Sequence, residues 1–196
     1  MRVELLATLI AMLVLGLFVA VRGDSGLASS PTVADVRIQS LKPYTYAFVS
    51  TQTTLNKLQD AIAQLMPPLD AAIDAGKLHV VGPVIFTYHG ASEDRDKTFT
   101  LDIGLIVKDG TVAPAGIQVT TVGPLHCATL ICSGPTSRLG PAYGKLYGEI
   151  GRRGLEPTDI SREVYLYWEG QESDNNLIQI QADLAGAAVA PAGTGN

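Results

Sequence analysis

The residue whose type and setting most invite chemistry is Glu163, in the run Arg-Glu-Val-Tyr-Leu-Tyr-Trp-Glu from Arg162 to Glu169. Side chains two apart on a strand share a face, so Glu163, Tyr165 and Tyr167 project together. An earlier run, Gly-Pro-Val-Ile-Phe-Thr-Tyr-His-Gly from Gly82 to Gly90, puts Val84, Phe86 and Tyr88 on one face in the same way. A carboxylate among aromatic rings loses hydration, and its charged form is disfavoured unless a cation or a donor compensates. Such a site suits an organic cation, held by charge and by the ring faces. The same carboxylate, with a raised pKa, would serve a hydrolase as general base on water, with Tyr165 or Tyr88 to polarise or position the substrate. The competing reading pairs Glu163 with Arg138, Arg162 or Lys145 at a strand edge, giving a scaffold or interaction domain with a degenerate cleft. Trp168 falls on the opposite, helix-packed side by strict alternation unless a bulge near Gly170 reverses it.

Other reactive side chains offer less. Cys127 and Cys132 lie five residues apart on one predicted strand, roughly 16 Å if extended, beyond the ~7 Å reach of a disulfide. They are expected to be buried free thiols. His79, His89 and His126 are scattered, and without a CxxC or a histidine pair no metal or other cofactor is expected.

These side chains need a scaffold. The chain has 196 residues, 46% of them hydrophobic and 17% charged, which places it among folded proteins rather than disordered ones. Two cysteines are too few for a disulfide-stapled fold, and a net charge of −5 gives no footprint for nucleic acid. The mean hydropathy of +0.22 is raised by Leu5 to Val21, seventeen uncharged residues between Glu4 and Arg22. As a helix they span roughly 26 Å, the short end of what a bilayer core requires. An uncleaved signal anchor over 1–22 is the preferred reading, with the domain outside the cytoplasm. A cleaved signal peptide has only Leu27-Ala28-Ser29-Ser30 as a loose cleavage site. Residues 23–40 read as a tether, 41–184 as one domain and 185–196 as a disordered tail.

Within the domain the order strand, helix, strand, strand occurs twice. Tyr44–Ser50 alternates as a strand, and Thr53 or Thr54 caps a helix carrying Leu55, Leu58, Ile62 and Leu65. Pro67-Pro68 is expected to interrupt that helix and open a second piece ending near Gly76. Strands follow at 81–89 and 98–107. The second half has a strand at 126–132, a helix with Leu139, Tyr143, Leu146, Tyr147 and Ile150 on one stripe, and strands at 162–168 and 177–182. The class is α+β: a duplicated strand-helix-strand-strand unit, its antiparallel sheet backed by helices on one face, with a central ligand cleft. Ile85, Thr87, Val164 and Leu166 form the more aliphatic face, expected to pack under the helices.

The runs Gly82–Gly90, Phe99–Val107, His126–Leu146, Gly154–Pro157, Arg162–Glu169 and Asn176–Leu184, in this order and spacing, resemble the gyrase-inhibitor-like (GyrI-like) small-molecule-binding family. Related domains bind effectors in AraC-type and MerR-type regulators. The resemblance covers nearly all of 41–184 and implies a central cleft for a lipophilic, often cationic, small molecule, with the late-strand glutamate, here Glu163, as its buried charge. Phe86, Tyr88, Tyr165 and Tyr167 are the candidate ligand-binding aromatics of the cleft, against the alternative that each is ordinary strand packing. Some stand-alone members of the family look like hydrolases of strained small rings. Two departures stand out: Gly134-Pro135-Thr136 lacks the aromatic often found after Gly-Pro, which implies a more open rim, and the anchor and tether stand where regulators carry their DNA-reading segment. The expected partners are therefore a small lipophilic molecule and a membrane, with no nucleic acid.

Overall fold

The computed structural model describes residues 33–186. The expected anchor, most of the expected tether and the tail beyond Gly186 lie outside the described residues, among which no helix is long and apolar enough to cross a membrane. Among the described residues there are eight strands: β1 (Arg37–Leu41), β2 (Tyr44–Thr53), β3 (Val80–His89), β4 (Phe99–Val107), β5 (Gln118–Val122), β6 (Leu125–Ser133), β7 (Pro157–Tyr167) and β8 (Leu177–Leu184). Helix α1 (Leu58–Asp74) joins β2 to β3, and α2 (Gly140–Arg152) joins β6 to β7. All neighbouring strands are antiparallel, in the order β1-β6-β8-β7-β3-β4-β2-β5.

The sheet starts earlier than the sequence suggests, because β1 pairs with β6 within the expected tether and Val33 bridges Cys132. Pro67 and Pro68 do not interrupt α1, which runs through them as one helix. Each proline removes a backbone donor, but Leu65, Met66, Leu69 and Ala72 on either side are buried in the core and hold the turn in place.

The helices cover the face opposite to the expected one. Val84, Phe86, Tyr88 and Tyr165 share a core cluster with Ile62, Leu65 and Met66 of α1 and Ala142, Leu146 and Ile150 of α2. Ile85 and Val164 instead pack with Tyr46 on the other side. The reason lies in a polar row on that second face. Thr129, Gln181, Arg162, Thr87 and Asp102 are successive cross-strand neighbours from β6 to β4, and all are buried. Such a row needs hydrogen-bonding partners, which an apolar helix stripe lacks. Neighbours on the same face supply them: Gln39 Nε2 donates to Thr129 Oγ1 at 2.5 Å, His89 Nε2 lies 2.7 Å from Asp102 Oδ2, and Arg162 forms a bidentate pair with Asp183, Nη2 to Oδ2 at 3.0 Å. Gly104 permits close strand approach there, since a Cβ on it would lie 2.2 Å from the Ala47 carbonyl oxygen and 2.6 Å from the Phe48 Cβ.

Candidate functional site: an aromatic cleft around Glu163

The pairing of β3 with β7 sets Phe86 directly opposite Glu163 and Tyr88 opposite Ser161. Diagonal neighbours on one sheet face are within reach of long aromatic side chains, and the geometry uses this. Glu163 Oε2 accepts hydrogen bonds from the Tyr165 hydroxyl at 2.7 Å, along its own strand, and from the Tyr88 hydroxyl at 3.1 Å, across from β3. Glu163 Oε1 accepts one from the Tyr143 hydroxyl at 2.8 Å, reaching down from α2. Three phenols from three elements thus converge on one buried carboxylate.

Burial pushes the Glu163 carboxyl above the usual carboxylate range, and the three hydroxyl bonds from Tyr165, Tyr143 and Tyr88 oppose that rise without cancelling it. The three phenols are driven well above their ordinary values, first by burial and then by the carboxylate beside them. They stay neutral donors, so any charge in this cluster resides on Glu163.

The cleft has a volume of about 430 Å³ and lies between α1 and α2 over the centre of the sheet. Its floor holds Glu163, Tyr88, Tyr165 and Phe86, and its walls include Leu58, Ile62, Leu139 and Trp168. Phe86 and Tyr165 are 4.8 Å apart by ring centroid, and Trp168 meets Tyr165 edge-on at 5.4 Å. At the mouth, Gln171 Nε2 donates to Gln59 Oε1 at 2.9 Å, linking the β7–β8 loop to α1. The buried Asn176 shapes that loop by donating to the Gly170 carbonyl at 2.6 Å and accepting from the Glu169 amide at 2.9 Å. Thr136 and Ser137 stand at the rim where the sequence lacks an aromatic, and Arg95 joins them.

Of the expected ligand-binding aromatics, Phe86, Tyr88 and Tyr165 are brought together with Glu163, and Tyr167 is not. A bulge at Leu166 sets two residues of β7 against one of β8, since Tyr165 faces Ile178 and Tyr167 faces Leu177. The extra residue reverses the alternation. Tyr167 turns outward, 43% exposed, and its hydroxyl donates to Glu169 at 2.8 Å. Trp168 takes the cleft side in its place. Tyr143 was hidden among the apolar positions of the α2 stripe, where its one signal was a hydroxyl between Leu139 and Leu146. Glu163 has no ion pair with the two candidate cations whose side chains are described: Arg162 is bound to Asp183, and Lys145 to residues 33–35. The side chain of Arg138, the third, lies outside the described residues. Cys127 and Cys132 are free and buried, on opposite faces of β6, and burial pushes both thiols up to about 11. No group of three or more histidine, cysteine or acidic side chains that could hold a metal occurs among the described residues.

Residues 34–181 match the family model of the GyrI-like small molecule binding domain. The chain belongs to that family. No curated protein matches it. Among solved structures, the GyrI-like fold here is similar to the EcmrR C-terminal domain, with TM-score 0.64 and 19% identity over 78% of this chain and 98% of that one. In the EcmrR-DNA complex the corresponding values are TM-score 0.63 and 19% identity over 79% of this chain, which spans 57% of the EcmrR chain. SAV2435 bound to tetraphenylphosphonium is similar at TM-score 0.57 and 12% identity, covering 78% of this chain and 95% of that one. A hydrolase from Listeria innocua is similar at TM-score 0.56 and 12% identity, covering 77% and 92%.

Proposed function

We propose that this GyrI-like domain binds a lipophilic organic cation in the cleft over Glu163. The observation that carries the reading is a buried carboxylate whose described partners are neutral phenols. Its charge is solvated by dipoles and balanced by none of the cations described beside it, so a ligand cation supplies what the fold leaves out. Three donors occupy two oxygens, which leaves about one acceptor position of the carboxylate's four open. A quaternary or delocalised cation, which brings no donor of its own, needs none. The two successive strand-helix-strand-strand orders support reading the fold as a duplication, with the ligand at the β3–β7 seam where the halves meet. The SAV2435 neighbour, of the same fold, was solved with such a cation.

The anchor belongs to the same proposal. Leu5–Val21 holds the domain to a membrane with its cleft outside the cytoplasm, and a compartment-specific reporter fused after Asn196 tests the side. Activity of the reporter only in the cytoplasm refutes that placement.

Binding is tested on the full-length chain by titration calorimetry with tetraphenylphosphonium and, as a neutral counterpart of similar shape, triphenylphosphine oxide. A preference for the cation supports the reading, and equal affinities refute it. Saturation at a hundred times the dissociation constant stabilises the fold by about 2.7 kcal/mol, which thermal unfolding detects.

A second reading is favoured by the same carboxylate, since a glutamate with a raised pKa inside a cleft suits general-base hydrolysis. Glu163 would draw a proton from water attacking a strained or electrophilic ring, with Tyr165 or Tyr88 positioning the substrate. Consumption of such an electrophile by the parent and not by Glu163→Gln would establish it.

A further inference from the structure

The amino-terminal end of the described chain is fastened to the same helix that completes the cleft. Lys145 Nζ donates to the Ala34 carbonyl at 2.8 Å, and to the Val33 carbonyl and Asp35 Oδ1 at 3.4 Å. Arg153, at the end of α2, reaches the Val36 carbonyl at 3.5 Å. The Ala34 amide is held on β6 by the Ile131 carbonyl at 2.8 Å. Lys145 lies two residues after Tyr143, so one turn of α2 carries both a hydrogen bond to Glu163 and the clamp on 33–35.

The three phenols on Glu163 are not equally fixed. Tyr88 and Tyr165 belong to central strands, are 5% and 8% exposed, and pack on Phe99, Phe86 and Trp168. Tyr143 belongs to the outer layer, is partly exposed, and stacks on Tyr147, itself 40% exposed. The helix beneath it is held to the core by Ala142, Leu146 and Ile150 but carries glycines on its exposed side. Gly144 and Gly148 lie in its interior, and a Cβ at either would meet nothing within 4 Å. Close packing does not require them, and each lowers helix stability by roughly 1 kcal/mol relative to alanine. Of the elements around the carboxylate, α2 is therefore the one that shifts at least cost.

We infer that occupancy of the cleft is transmitted through α2 to residues 33–36. A cation entering over Glu163 crowds the Tyr143 ring away from Oε1, α2 moves with Tyr143, and Lys145 loosens its hold on the segment that follows the Leu5–Val21 stretch in sequence. The inference rests on the cation-binding reading. It also has a reciprocal consequence: whatever loosens the clamp tightens cation binding by the same factor.

Hydrogen exchange of the full-length chain, with and without tetraphenylphosphonium, tests it, with calorimetry on the same samples to establish binding. Exchange in the peptide spanning 33–36 is expected to rise by about tenfold at saturation, within the usual range of such couplings. Lys145→Met is expected to raise exchange there without ligand and to tighten probe binding by a matching factor. Saturated binding with unchanged exchange at 33–36 overturns the inference alone. So does a Lys145→Met chain with faster exchange and unchanged affinity. Absence of any binding heat removes the cation reading, and this inference falls with it.

Discussion

Replacing Glu163 by glutamine removes one negative charge and hardly alters shape, which makes its two effects separable. A monovalent cation resting over the carboxylate would sit roughly 5 Å from it, where an effective dielectric near 20 gives about 3 kcal/mol of attraction. Glu163→Gln should therefore weaken tetraphenylphosphonium binding by about two orders of magnitude and leave triphenylphosphine oxide within about threefold. Stability should change far less. The glutamine carbonyl can face Tyr88 and Tyr165, but its amide then meets the Tyr143 hydroxyl, which must turn to accept. That loss, of order 1 kcal/mol, is offset by relief of a buried charge. The pH dependence follows from the same group. Because burial raises the Glu163 carboxyl above its unfolded value, its contribution to stability is full at acid pH, below the unfolded pKa, and is lost as pH rises through the folded one. Cation binding runs the other way, falling by up to about tenfold per pH unit as pH drops below that raised value, and it should be flat in the glutamine variant. Calorimetry at several pH values reads both. Equal losses for the cation and the neutral probe, or an unchanged pH profile in the variant, would refute the reasoning.

Three further substitutions test the scaffold by chemical denaturation. Arg162→Met strands the Asp183 carboxylate, 14% exposed, without its guanidinium and should cost about 3–5 kcal/mol; adding Asp183→Leu should restore most of it, and a single variant within 1 kcal/mol of the parent would discount the pair. Gly104→Ala places a Cβ 2.2 Å from the Ala47 carbonyl oxygen, a backbone atom that cannot step aside, so a loss of about 2 kcal/mol or more is expected and a neutral result would contradict the tight strand approach. Gly148→Ala meets open space and should stabilise the chain by up to about 1 kcal/mol, whereas destabilisation would mean that the helix is packed there after all.

Period-two alternation was enough to group Phe86, Tyr88, Glu163 and Tyr165, because each pair lies within one uninterrupted stretch of strand. It could not say which face the helices cover. Ile85 and Val164 are as apolar as the residues under α1, and the choice depends on the polar row from Thr129 to Asp102, which exists only once five strands are aligned. The fate of Tyr167 and Trp168 turned on the bulge at Leu166, which nothing in Tyr-Leu-Tyr-Trp marks, since its flanking glycine comes later at Gly170. Edge strands β1 and β5 were missed for a related reason. Arg-Ile-Gln-Ser-Leu and Gln-Val-Thr-Thr-Val are short and half polar, as edges exposed to water are. Tyr143 was visible as part of a helix stripe, but its role required knowing which helix lies above Glu163.

Adjacent residues Arg162 and Glu163 show why the second of them is the better candidate for a ligand contact. Both are buried and charged, and alternation sends them to opposite faces of β7. Arg162 meets a carboxylate in bidentate geometry, which forms a closed and neutral unit needing nothing further. Glu163 meets three phenols, which lower the cost of its burial but bring no positive charge and leave its carboxyl still above the ordinary range. A purely structural position could have been filled by glutamine, which accepts and donates without that cost. The uncompensated part is what a cation entering the cleft would relieve, which would favour cations over neutral ligands of the same shape.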